Sequence, residues 1–332
     1  MTLAISGTTG ITLATQFDSA STFGFKNRFI NGSMQVAQRG TTGTSGAAVP
    51  TTTAVYPSVD RWYAYATGAT VTVAQVAGTG ATKNNLQVSG AASVTAVGVG
   101  QRIEQLNCYD LAGSTCTLSV NMSNSLLTTV TWTASYATTA NTWSAKTTIS
   151  SGTFTVSGTL ANYSAQISVP AAATTGIEIL FTVGAQTSGT WVIGEAQFEK
   201  SSTVATSFDY RPYTTELQLC QRYYYRQQAV GTGDFFGAGL CTATTTVVAI
   251  SSFPTTMRTS PTALEQSGTA ANYATYTGAG TTTACSAVPQ FVVASVWSGT
   301  SIFTVASGLT VGQAGILRSN NAAAYLGWSA EL

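Results

Sequence analysis

The strongest constraint on this 332-residue chain is a strict alternation of apolar and hydroxyl-bearing side chains. Val130, Trp132, Ala134 and Tyr136 alternate with Thr129, Thr131, Thr133 and Ser135. Tyr163, Ala165, Ile167 and Val169 alternate with Ser164, Gln166 and Ser168, while Ile177, Ile179, Phe181 and Val183 leave Glu178 and Thr182 on the other face. Successive side chains of an extended strand point to opposite sides, so a period of two marks half-buried strands. Clusters of small polar residues, as at 138–142 and 185–189, interrupt these runs at turn spacing. Thr and Val dominate, and both suit a pleated surface. Residues 27–213 therefore read as an antiparallel β-sandwich within an all-β protein. No heptad pattern and no repeat of roughly 30 residues argues for a coiled coil or solenoid.

Charged residues make up 8% of the chain, against roughly a quarter in ordinary soluble proteins. They concentrate in two stretches that bracket the alternating region. The first runs from Asn27-Arg28-Phe29-Ile30-Asn31-Gly32 through Gln38-Arg39-Gly40 to Asp60-Arg61-Trp62. The second runs from Gln197-Phe198-Glu199-Lys200 through Asp209-Tyr210-Arg211-Pro212-Tyr213 to Cys220-Gln221-Arg222-Tyr223-Tyr224. Such bracketing predicts a domain whose first and last strands meet. A net charge of +1 gives no electrostatic footprint for nucleic acid or an anionic membrane. No apolar run approaches the ~18 residues of a membrane span, and residues 1–10 lack the features of a secretory signal. So little charge leaves a lone subunit poorly protected against association, which a symmetric oligomer would remedy.

Outside the sandwich, residues 1–26 read as an ordered arm or an attachment segment. A linking helix is expected over 214–228, with Thr215 and Gln218 at capping-box spacing and Leu217, Cys220 and Tyr224 on one face. Tyr223, Tyr224 and Tyr225 would then face different directions, which suits packing better than base stacking. Residues 229–332 read as a second β-domain, with strands near 245–253, 290–297, 301–307 and 323–332. In the last, Ala324, Leu326, Trp328, Ala330 and Leu332 share one face.

The sequence contains no histidine, which removes the usual general base and the commonest zinc ligand. Its five cysteines form no CxxC pair and read as reduced packing residues, although Cys108 and Cys116 could face each other across a hairpin. Gly98-Val99-Gly100 lacks the third glycine of a dinucleotide loop and reads as a turn. The remaining catalytic option is a carboxylate pair. Glu195 and Glu199 would sit far apart along a strand, and Asp60-Arg61, Glu199-Lys200 and Asp209 near Arg211 read as structural ion pairs. Binding is the better prospect, because aromatic faces stack on sugar C–H surfaces. The candidates are Trp143, Tyr136, Trp62 and Tyr65, with Tyr63, Trp132 and Trp191 behind them. Trp143, in the loop-like Asn141-Thr142-Trp143-Ser144, is the foremost exposed platform. Trp132 and Tyr136 continue an apolar stripe and also read as core, and Trp62 also suits a structural anchor.

The bracketing motifs resemble those of bacteriophage tail-fibre and tail-associated proteins. The similarity runs from Ile30-Asn31-Gly32-Ser33-Met34 and Gln38-Arg39-Gly40 through Asp60-Arg61-Trp62, Tyr210-Arg211-Pro212-Tyr213 and Cys220-Gln221-Arg222-Tyr223-Tyr224. It continues in Phe253-Pro254 to Met257-Arg258 and Pro261, and in Gly327-Trp328-Ser329-Ala330-Glu331-Leu332. It implies a jelly-roll sandwich like that of carbohydrate-binding modules, in a virion appendage assembled in the host bacterial cytoplasm. A homotrimer is implied, with other tail or baseplate proteins and a host surface polysaccharide as partners. No catalytic cofactor is implied. Modules of this shape often hold a structural calcium, for which Asn31 and Glu195 or Glu199 occupy corresponding places, although the usual paired aspartates are missing. The rival implication is a purely structural baseplate, tail-tip or capsid decoration protein; a polysaccharide depolymerase comes third.

Overall fold

The computed structural model describes residues 25–46, 55–78, 82–201, 204–278 and 280–332. The expected arm lies outside them, apart from Phe25 and Lys26. The fold is all-β with one short helix among these residues. The chain forms two compact units. One extends through Gln35 and adds Thr42–Pro57 and Trp62–Pro212; the other combines Val36–Thr41 and Ser58–Arg61 with Tyr213–Leu332.

The first unit is a sandwich of two antiparallel sheets. Its strands are β1 (Thr42–Gly46), β2 (Tyr63–Thr67), β3 (Thr70–Ala77), β4 (Asn84–Ser89), β5 (Ala96–Ile103) and β6 (Thr115–Asn124). They continue as β7 (Thr129–Thr139), β8 (Thr142–Thr155), β9 (Ala161–Ser168), β10 (Ile177–Val183) and β11 (Thr190–Lys200). One sheet has the order β1-β3-β4-β11-β6-β9 and the other β2-β5-β10-β7-β8. From β4 onward the chain repeatedly passes from one sheet to the other, the winding of a jelly roll. The alternation explains the core: Leu118, Val120 and Met122 on β6 and Val99, Ile179 and Phe181 opposite are fully buried. Each large apolar side chain removed from water contributes about 1.5–3 kcal/mol.

The bracketing stretches do meet. Arg28 donates its backbone N–H to Phe198 at 2.8 Å, and Ala196 donates to Gly32 at 3.0 Å. Asn27 holds the junction from its side chain: Oδ1 accepts from the N–H groups of Phe29 and Phe198, and Nδ2 donates to Ala196. Arg211 adds guanidinium bonds to the carbonyls of Phe29 and Asn27. Gly32 is required there because a Cβ would stand 2.2 Å from the Ala196 oxygen. Gln101, buried on the inner face of β5, accepts from the Ile30 N–H and donates to its carbonyl, both at 2.8 Å.

The second unit starts with α1 (Tyr213–Gln221), followed by β12 (Tyr224–Gln228), β13 (Phe235–Ala243), β14 (Thr246–Ser252), β15 (Leu264–Gln266) and β16 (Tyr273–Thr277). It ends with β17 (Thr282–Ala294), β18 (Ser298–Val305), β19 (Ala314–Ser319) and β20 (Tyr325–Ser329). Strands β13-β14-β18-β17-β16-β19 close a barrel around Phe236, Val247, Tyr273, Phe303 and Leu317, and β12-β20-β15 form a small sheet. The helix is shorter than the sequence predicts. It begins at Tyr213, so Thr215 lies in its first turn and not at a cap, and it ends before Tyr224, which pairs with Ser329. The consecutive tyrosines favour a strand, and a ladder on β20 satisfies their backbone.

Within this unit the expected ion pairs rearrange. Asp60 accepts from Gln38 through both carboxylate oxygens. Arg61 and Arg39 both pair with Glu331. Their guanidinium carbons lie 3.6 Å and 3.4 Å from the ring centroids of Tyr223 and Tyr224. In the first unit Asp209 does face Arg211, at 4.0 Å, whereas Lys200 donates to the Asp110 carbonyl and Glu199 accepts from Gln197 and Thr206.

Candidate functional site

The outer face of the five-stranded sheet gathers the unusual chemistry of the first unit. On it, β2 sets Tyr63 opposite Gly100 and Tyr65 opposite Gly98. Gly98, Gly100 and Arg102 of β5 face Thr182, Leu180 and Glu178 of β10, and those face Thr131, Thr133 and Ser135 of β7. Gly98-Val99-Gly100 is thus mid-strand and not the turn its composition predicts. The glycines make room for rings: a Cβ on Gly98 would stand 2.2 Å from a Tyr65 ring carbon, and one on Gly100 2.5 Å from the Tyr63 hydroxyl oxygen. Two tyrosine rings therefore lie flat across a glycine track. That geometry is available only where the underlying strand has no side chains.

Beside the track sits a charged cluster. Arg102 Nε donates to Glu178 Oε1 at 2.9 Å, and Lys146 Nζ pairs with Glu178 Oε2. The guanidinium carbon of Arg102 lies 5.1 Å from the Tyr63 ring centroid and 5.3 Å from that of Trp143. Arg102 and Glu178 are buried, at 5% and 2% side-chain exposure, while Lys146 reaches solvent at 21%. Burial and then Glu178 push the Tyr63 hydroxyl well above the ordinary tyrosine range, and the same causes raise Tyr65. Both phenols thus remain protonated and can donate. Glu178 is the only acid among the strand residues of this sheet, whereas glycoside cleavage uses two carboxylates roughly 5–10 Å apart.

Of the residues singled out from the sequence, Tyr65 lies on this face. Trp143 borders it but is buried, at 4% exposure, and is no exposed platform. The reason is local. Asn141, in the left-handed region at φ 55°, donates its N–H to Thr175 and accepts from Gln105 N–H, so the β7–β8 turn is tied down and the ring closes over Gly176. Trp62 is fully buried, donates Nε1 to the Asn31 carbonyl at 3.0 Å and meets the Phe29 ring at 5.3 Å. It is an anchor. Tyr136 pairs with Ile177, which puts it on the opposite face of the sheet. Arg102, Glu178 and Lys146 escape sequence reasoning, since they are separated by up to 76 positions and only the β5–β10–β7–β8 order joins them.

Of the residues expected to hold calcium, Glu199 and Glu195 are tied into hydrogen bonds. Glu199 accepts from the Thr206 N–H and hydroxyl and from Gln197, and Glu195 accepts from the Thr82 N–H and Asn121. Their oxygens face hydrogen-bond donors, and no group of three metal-binding side chains occurs among the described residues. All five cysteines are free and buried, and burial pushes the thiols of Cys108 and Cys116 up to about 11 and about 12. They are protonated packing groups.

The first unit is therefore a β-sandwich carrying one built, partly open sheet face. No protein-family model matches the chain, and no curated protein does. Among solved structures it is similar to a CBM4 protein at 12% identity, covering 52% of this chain and 98% of that one with a TM-score of 0.36. It is also similar to the enzymatically active domain of tailspike protein 4 of bacteriophage CBA120, at 17% identity, 52% of this chain, 21% of that chain and a TM-score of 0.33. A third is a xylan-binding domain from CBM22, at 20% identity, 47% and 100% coverage and a TM-score of 0.32.

Proposed function

We propose that this is a non-enzymatic bacteriophage tail fibre or spike protein that grips a host cell-surface glycan with the open face of its five-stranded sheet. The observation that carries this reading is the half-buried Tyr65 ring laid over Gly98, backed by the buried Tyr63 ring over Gly100 and flanked by threonine hydroxyls. Flat aromatic surface beside hydroxyl donors and acceptors matches a sugar ring, which offers a C–H face and equatorial hydroxyls. The virion setting rests on the motifs of the two bracketing stretches. A glycan array probed with the full chain tests the reading: at least one surface polysaccharide should bind, and Tyr65→Ala should weaken it at least about tenfold through loss of the ring contact. Binding unchanged in that variant would move the site elsewhere.

A structural joint within a tail or baseplate is the second reading, and one observation favours it. On the outside of the barrel, Ile316, Ala238, Ile250, Thr300 and Val293 form one cross-strand row, and Leu240, Val248 and Ile302 form the next. Ile250 and Val293 are 57% and 59% exposed, and β13, β14, β17 and β18 carry no charge. Such a surface suits another protein, a second copy of this chain included.

A further inference from the structure

We infer that a second copy of this chain docks on the barrel, its Trp297 ring entering a recess beside β13 and β14. The inference deepens the second reading above, naming the partner and the contact on that apolar surface. The recess opens where pairing gives out. The ladder between β13 and β14 ends at Ala238–Ile250, and the register of β13 against β19 shifts between Phe235 and Gly237. A recess of about 470 Å³ lies there, lined by Phe235, Gly237, Ala238, Ile250 and Ile316. Its apolar lining meets water, with Phe235 65% and Ile250 57% exposed. Gln227 also lines it, and its Oε1 is buried with no hydrogen-bond donor among the described residues. A buried acceptor without a partner is costly, so the recess has a place for an N–H as well as for apolar surface.

The complementary shape is on the same unit. Trp297, in the β17–β18 turn, is 67% exposed. The turn is tied: Trp297 donates its N–H to Ser295 Oγ at 3.1 Å, its carbonyl accepts from Phe253 at 2.8 Å, and Ser295 donates to the Ser298 carbonyl at 2.8 Å. A large indole is thus held out in water on a fixed backbone, and docking has only its side chain to order. Ser298, the next residue, pairs with Ser252, which lines the recess. Ring and recess therefore share one end of the barrel, and each copy can give a ring while receiving one. The indole N–H supplies the donor that Gln227 Oε1 lacks. Charge narrows the partner. Residues 235–257 and 266–317 contain no Asp, Glu, Lys or Arg. A charged partner surface would be dehydrated here without a counter-charge, whereas a second copy brings none.

The test is sedimentation equilibrium of the full chain and its variants. The parent should self-associate, and Trp297→Ala should raise the dissociation constant at least about thirtyfold, the loss of a central aromatic anchor. Ala238→Trp, at an exposed position, fills the recess and should do the same. Mixing the two variants restores one ring and one empty recess to each mixed pair, so the mixture should associate more tightly than either variant alone. A mixture no tighter than its components overturns the ring contact. Association unchanged in Trp297→Ala but lost in Ile250→Lys also overturns it and leaves the joint reading standing. Association unchanged in both removes this face from either reading. A parent that stays a single chain at micromolar concentration overturns the inference, with the apolar row then left to a different protein.

Discussion

At the scale of single residues, glycines define the candidate site and an asparagine holds the sandwich shut. Gly98 and Gly100 have an ordinary reading in sequence, a turn, because glycine marks turns more often than strand interiors. The signal that would have found them is the match of Tyr63-Ala64-Tyr65 to Gly98-Val99-Gly100, rings and gaps at the same spacing. Gly98→Ala should push the Tyr65 ring off its floor, destabilise the protein by about 1–3 kcal/mol and weaken glycan binding. Thermal melts and the array would read both effects together. Asn27 satisfies three backbone groups in a buried junction. Asn27→Ala should therefore cost about 3 kcal/mol in chemical denaturation, because buried donors and acceptors lose their partners and water cannot replace them. Trp143 shows the limit of reading single positions: its neighbours are loop-like, yet Asn141 folds the turn inward.

At the scale of elements, the small sheet of the second unit brings together residues remote in sequence. Arg39, Arg61, Tyr223, Tyr224 and Glu331 come from four separate stretches and meet in one cluster of ion pairs and cation–ring stacks. Asp60 lies within it, facing Gln38, Arg39, Glu331 and Cys220. Burial pushes its carboxyl up to about 6, despite the opposing bonds from Gln38 and the charge of Arg39. The folded state therefore holds this proton more tightly than the unfolded chain, whose carboxyl titrates near 3.8. Between these values folding takes up a proton, so Asp60 adds stability as pH falls from about 7 toward 4. The expected gain is on the order of 2–3 kcal/mol. Denaturation of the full chain at pH 7.5 and 5 should show about half of it, and Asp60→Asn should flatten the difference; an unchanged slope in that variant would assign the effect to another group. The helix illustrates a competition between elements, since its capping spacing is real but strand pairing with β20 claims the tyrosines first.

At the scale of the whole molecule, the scarcity of charge becomes a matter of surfaces. The exposed row on the barrel has aliphatic side chains where a solitary soluble protein would carry lysine or glutamate. Sedimentation equilibrium should give a particle of several chains, three on the fibre reading, and Ile250→Lys should shift it toward the single chain. A wild-type protein that sediments as one chain at micromolar concentration would rule out self-association through this face.

Alternation of apolar and hydroxyl residues was enough to specify strands, an all-β fold and a sandwich, because a period of two leaves one solvent-facing and one buried side. Bracketing motifs were enough to predict that the sandwich closes end to end. Which strands become neighbours was decided only by the tertiary structure. Register across β2, β5, β10, β7 and β8 places Tyr65 over Gly98 and Lys146 against Glu178, and it brings Glu331 to Arg39 and Arg61 in the second unit. The physical reason is that local propensity acts over a few residues, whereas these pairings depend on closing loops of tens to hundreds of residues.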